Sequence, residues 1–268
     1  MKQVLCWLMS LVIMHASFAI AEEVIIDEAI IVRTEYEFSE GLSFETQAYT
    51  DAPNKESTVY VEYPRFYYGS KEIYDNNGYD DNVYRRVNDL NWLIDNFIFR
   101  KTMWFPFREG FDKPYENVLQ CAVTLIHEKV ISIVFWGVFH NIGQRHDNMI
   151  YTLNIELATM RDLDFADMFE VNPDFVDMFF ESAQFPTDPD TTPYGNDTDN
   201  FVIRMTNLER SAFDFYPDRV SLDSLYYLKP DGVVFILPEG HASGDHFEAF
   251  IEYDKLVPFY LDSNPLHD

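Results

Sequence analysis

Cysteine is almost absent from this chain. Its 268 residues hold two, Cys6 and Cys121. Cys6 falls in an N-terminal apolar run that reads as a removable export signal, which leaves the mature chain no pair with which to close an internal disulfide. The core must hold by packing alone. Positive charge is also scarce: 19 Lys and Arg stand against 46 Asp and Glu, a formal net charge of −27. A chain this acidic repels the phosphates of nucleic acid and the headgroups of anionic lipid, and it favours cationic partners. The plainer use of the same charge is solubility. Past the N-terminus no stretch is apolar and long enough to span a bilayer. Motifs are missing too. There is no G-x-S-x-G, S-x-x-K, H-E-x-x-H or phosphate-binding glycine loop, so the common strand-turn-helix hydrolases and zinc peptidases have no support. No internal repeat is visible.

What is present begins with the N-terminus. One charge, Lys2, precedes an apolar run over residues 4–21 that ends in Ala19-Ile20-Ala21, with small residues at both positions a signal peptidase reads. The expected signal is residues 1–21, with Glu22 the new N-terminus. An uncleaved anchor is the rival reading, and Ser10, His15, Ser17 and the terminal A-x-A weigh against it. Loss of Lys2 leaves 18 of the 19 basic side chains against all 46 acids, a formal −28. A periplasmic or secreted chain of about 247 residues follows, long enough for one large domain or two modest ones. With 47% apolar and 17% aromatic residues it has ample material for a core.

Residues 29–38 and 58–63 mix β-branched and aromatic residues with polar ones and are predicted as strands, separated by the turn-forming residues 50–54. Val83, Val87, Leu90, Ile94 and Phe97 recur at helical steps, with Asp80 or Asp81 as a cap. This stripe predicts a helix laid across a sheet. Strands are expected at 118–126, 130–139 and 149–157, joined by short connections as an antiparallel meander. Leu119, Cys121, Val123 and Leu125 share a face of the first, which makes Cys121 a buried small hydrophobe and not a nucleophile. Asn172-Pro173-Asp174 supplies an N-cap, a first-turn proline and an acid for a helix to about Ala183. Residues 186–200, proline-rich and acidic, are expected as an exposed loop; they include Asn196-Asp197-Thr198, a glycosylation sequon in a eukaryotic secretory host. The Lys229-Pro230-Asp231-Gly232 turn joins strands at 225–228 and 233–237, and a last strand follows at 247–253.

Four of the six mature histidines are expected in two loops. His140 and His146 lie in FHNIGQRHDN with Asp147, and His241 and His246 in GHASGDHF with Asp245. Histidine with carboxylate is the material of zinc sites and of general acid-base pairs. The spacing fixes no shared face, and hydrogen-bonded loop histidines are the commoner use of such residues. Paired acids such as Asp162 with Asp164, or Asp188 with Asp190, arise by chance in so acidic a chain and say nothing about glycoside hydrolysis. Tyr67, Tyr68, Tyr74 and Tyr79 could stack on sugar or peptide, though burial is the commoner fate of large aromatics.

From about Asn117 to Tyr260 the order of strands and turns, through VISIVFWGVFH, NIGQRHDN, IYTLNIELATMRDLDFADMF and YYLKPDGVVFILPEGHASGDHFEAFIEYDKL, resembles the DUF3298 domain. That domain forms the C-terminal half of the extracellular region of the lysozyme-sensing anti-sigma factor and also stands beside polysaccharide deacetylase domains. Thr58 to about Lys113 is similar to the DUF4163 domain that accompanies it. The resemblance implies an α+β fold and an envelope-associated binding role without an activity of its own. Three residues precede the apolar run, so no cytoplasmic sigma-binding region is expected, nor a deacetylase domain.

The expected fold is therefore α+β, mainly antiparallel sheet with a few helices packed on it. Residues 1–21 are the signal peptide, 22–115 a DUF4163-like region and 116–268 a DUF3298-like domain. The expected function is a non-enzymatic, exported envelope binding module for a cationic protein such as lysozyme or for a cell-wall glycan. No nucleic acid, no cofactor and no membrane span after signal cleavage are expected. The alternative is a metal-assisted hydrolase built on His140, His146, Asp147, His241, Asp245 and His246.

Overall fold

The computed structural model describes residues 41–52, 56–69, 81–100, 114–141, 146–185, 226–238 and 246–267. The expected signal, the strand at 29–38, the loop at 186–200 with its sequon, and Tyr74, Tyr79, His241 and Asp245 lie outside them.

The element order is β1 (Leu42–Asp51), β2 (Thr58–Tyr68), α1 (Asp81–Ile98), β3 (Tyr115–Ile126), β4 (Val130–Asn141), β5 (His146–Glu156), β6 (Arg161–Asp162), α2 (Phe165–Met168), α3 (Pro173–Ser182), β7 (Tyr226–Lys229), β8 (Gly232–Pro238), β9 (His246–Glu252) and α4 (Tyr253–Leu256). Strands β1 to β6 form one sheet in sequence order, and β7 to β9 a second. This is an α+β fold. Among the described residues every strand pairing is antiparallel except β2 with β3, which run parallel over four residue pairs, Thr58 with Glu116 to Val61 with Leu119. Two parallel strands cannot be joined by a tight turn, and the connection between them carries α1. The large sheet runs across residue 115 without interruption.

The apolar stripe of α1 packs on one face of that sheet. Val87, Leu90 and Ile94 are wholly buried against Val61, Phe66, Leu119 and Phe135. Among the described residues no strand pairs with β2 on its β3 side beyond Val61, and a helix residue bonds the main chain there. Asn91 accepts a hydrogen bond from the Phe66 amide at 2.8 Å and donates to the Phe66 carbonyl at 2.9 Å. Both main-chain groups are buried, where an unmade bond is costly. Cys121 is buried in the same core, as its alternation predicts. Tyr67 is also buried, so it is a packing residue and not an open stacking platform.

The other face of the large sheet carries the small one. Along β8, Val233, Phe235 and Leu237 turn toward the phenylalanines of α2 and α3, while Val234 and Ile236 turn toward Ala122 and Val134. That explains the unbroken Val-Val-Phe-Ile-Leu run, since a strand buried on both faces has no polar alternation. Helix α3 starts as expected, with the Asn172 side chain accepting from the Phe175 amide at 2.9 Å and Pro173 in the first turn.

Polar side chains join the two sheets. Ser132 on β4 donates to Asn154 on β5 at 2.7 Å, Asn154 donates to the Tyr226 carbonyl at 2.9 Å, and the Leu228 amide donates to the Ser132 hydroxyl at 2.9 Å. These groups of β7 point away from its ladder with β8, and the large sheet satisfies them.

Candidate functional site

The face of the large sheet that holds the small one is not covered along its whole length. Cross-strand partners share a face, so successive levels can be read from the register. Ala122 and Val134, on β3 and β4, are buried with Thr152 of β5. The next level, Gln120, Trp136 and Ile150, is half-buried, and so is the one beyond, Val118, Val138 and Asn148. The last level is Glu116, His140 and His146, of which Glu116 and His146 are exposed. A shelf with an aromatic floor, amide groups and a histidine rim thus extends past the small sheet.

His140 and His146 do not sit in a loop, as their polar surroundings suggest. His140 is in β4 and His146 opens β5; the two are direct partners with ring centroids 3.9 Å apart and planes 22° apart. The ladder runs on into the polar segment because pairing satisfies main-chain groups whatever the side chains are. Asp147 pairs with Phe139 and by alternation stands on the opposite face, away from the two imidazoles. His246 likewise belongs to a strand, as the first residue of β9 opposite Pro238, and it is buried. Among the described residues no three histidine, cysteine or acidic side chains group as metal ligands.

One residue that carries no motif is chemically conspicuous. Glu248, two places along β9 from His246 and on the same face, is 5% exposed. Burial pushes its carboxyl up to about 8, against the weaker opposing effects of the Tyr227 hydroxyl and the Lys229 charge. Tyr227 lies 3.4 Å from Oε2, and Oε1 has no partner among the described residues. The signal was available: Glu248 stands within His-Phe-Glu-Ala-Phe-Ile, an acid inside an apolar strand. Cys121, by contrast, is inert, because burial raises its thiol far above the range in which thiolate forms.

The fold is similar to those of two solved members of the DUF3298 family. One, from Bacteroides fragilis, is 12% identical, with a TM-score of 0.45 over 84% of this chain and 94% of that one. The other, from Pseudomonas aeruginosa, is 11% identical, with a TM-score of 0.49 over 85% and 98%. No family model matches the chain, and no curated protein is similar enough to match it. No described helix is long and apolar enough to cross a membrane.

Proposed function

We propose that this protein is an exported, non-enzymatic binding module of the DUF3298 type, with a DUF4163-like region in residues 22–115, that recognises a cationic protein at the cell envelope. The observation that carries the reading is the excess of 46 acidic over 19 basic side chains, since such a field draws cationic partners and repels nucleic acid and anionic lipid. The half-covered shelf around Trp136, Gln120 and Asn148 offers the short-range contacts that charge alone does not supply. Export is supported by the Lys2 and apolar-run pattern ending in Ala-Ile-Ala. Lysozyme is the probe of choice, being a compact, strongly cationic protein that acts on the cell wall.

The test mixes the purified protein with lysozyme, with a neutral protein of similar size, and with soluble peptidoglycan fragments, each at low and at high salt. Binding to lysozyme that weakens steeply with salt, and is reduced by Trp136→Ala, is expected. No binding to lysozyme at low salt overturns the cationic-partner reading, and binding to the glycan alone transfers the site to a cell-wall ligand.

A further inference from the structure

A buried carboxyl with an unmet hydrogen bond lies where the small sheet borders the shelf. Glu248 is paired with Ile236 across the ladder of β8 with β9, so the two side chains share a face. That face is turned to the large sheet, because Ile236 packs with Ala122 and Val134. The small sheet crosses successive levels of the large one. Strand β7 bonds to Ser132 and Asn154, Val234 and Ile236 of β8 pack with Ala122 and Val134, and Phe250 of β9 joins the same cluster as Trp136 and Ile150. Strand β9 is therefore the one next to the open levels, and among the described residues its outer edge is bonded only at Phe250, by Gln184. Glu248 is 5% exposed. The Tyr227 hydroxyl stands a long 3.4 Å from Oε2, and Oε1 has no partner among the described residues. A buried polar atom left unbonded is costly. Packing gives no reason for an acid at this position, since a leucine would fill the space without that cost.

Resting on the cationic-partner reading, we propose that Glu248 is the anchor of that surface: an arginine side chain of the partner lies along Trp136 and sets its guanidinium on the Glu248 carboxylate. A guanidinium fits better than an ammonium, because its planar fork bonds both carboxylate oxygens, it stacks on an indole and it is less tightly hydrated. In the free protein burial keeps the carboxyl protonated. Binding exchanges that proton for the guanidinium, and the ionised side chain turns from the interface between the sheets toward the shelf. The other titratable groups on this face of the small sheet are Tyr227 and Lys229 on β7 and His246 on β9. On the large sheet they are Glu116, His140 and His146 at the far rim, and the levels between carry none.

The experiment titrates the protein by calorimetry with N-acetylargininamide at millimolar concentration, with its uncharged citrulline counterpart and with lysozyme. Each titration is run in two buffers of different ionisation enthalpy, between about pH 6 and about pH 8.5, so that protons released on binding are counted. The arginine probe is expected to bind and the citrulline probe not to. Close to one proton should leave per bound arginine near neutral pH, and affinity should fall about tenfold per pH unit below about 8. Glu248→Gln keeps the shape and the neighbouring Lys229 and His246. It is expected to weaken the arginine probe at least about tenfold at the upper pH and to abolish its proton release. Circular dichroism of the variant confirms the fold. Absence of arginine binding in the parent, or the same affinity and proton release in parent and variant, overturns the anchor. Lysozyme binding that is equal in parent and variant also overturns it and leaves the cationic-partner reading standing. Arginine binding as expected, with no lysozyme binding, supports the anchor and removes lysozyme as the partner.

Discussion

A carboxyl group enclosed by apolar side chains keeps its proton, and Glu248 therefore ties stability to pH in a direction opposite to that of a salt-bridged acid. Its ordinary value is 4.5 and its folded value about 8, so between those limits the folded chain holds a proton that the unfolded chain has released. Stability from this group is complete below about pH 4.5 and is lost as pH rises through about 8, with a total on the order of 5 kcal/mol. Glu248→Gln removes the titration while keeping the shape. Urea unfolding of both proteins at pH values spanning that window is expected to show a difference in stability that grows with pH in favour of the variant. Parallel pH profiles would mean that the carboxyl is solvated in the folded protein. The unpaired Oε1 points the same way, since a neutral acid tolerates a missing partner better than a carboxylate does.

At the level of elements, the contact between the sheets depends on the bonds that Ser132 and Asn154 make to β7. Asn154→Leu leaves the Tyr226 carbonyl without its side-chain donor and the Ser132 hydroxyl proton without its acceptor in a buried interface. A loss of about 2–4 kcal/mol is expected, read as a lower urea midpoint with an unchanged slope. An equal midpoint would mean that apolar packing alone holds β7. These bonds also mark the limit of what the sequence reveals. The helix α1, the meander β3 to β5, the hairpin β7–β8 and the cap of α3 follow from periodicity and turn chemistry, which act over neighbouring residues. The parallel seam of β2 with β3 left no such trace, because the partners are distant in sequence. Nor did the direct pairing of His140 with His146: strand ends are set by pairing, and the glycine and polar residues between them read as a longer loop. Asn91 and Asn154 look in sequence like polar faults in apolar patterns, and their role is visible only from the main-chain groups they satisfy.

For the molecule as a whole, an excess of acids costs stability through self-repulsion. A neutral salt should screen it, so the melting temperature is expected to rise on going from low to moderate salt at neutral pH, measured by calorimetry with sodium chloride. A falling melting temperature would show that attractive pairs such as Arg65 with Asp95, 3.0 Å apart, outweigh the repulsion. One feature of the large sheet bears on time and not on strength. Its first two strands close as a hairpin and its next three as a meander, each over short spans of chain, whereas the parallel seam joins residues on either side of the whole helix-bearing connection. Loop closure over such a stretch costs entropy before the contacts that reward it exist. Docking of the two half-sheets is therefore the expected slow step of assembly, to be checked by whether substitutions in the seam slow refolding. Until they dock, the apolar face meant for α1 is open to other unfinished chains, which makes the seam the place where crowding and slow synthesis decide between folding and aggregation.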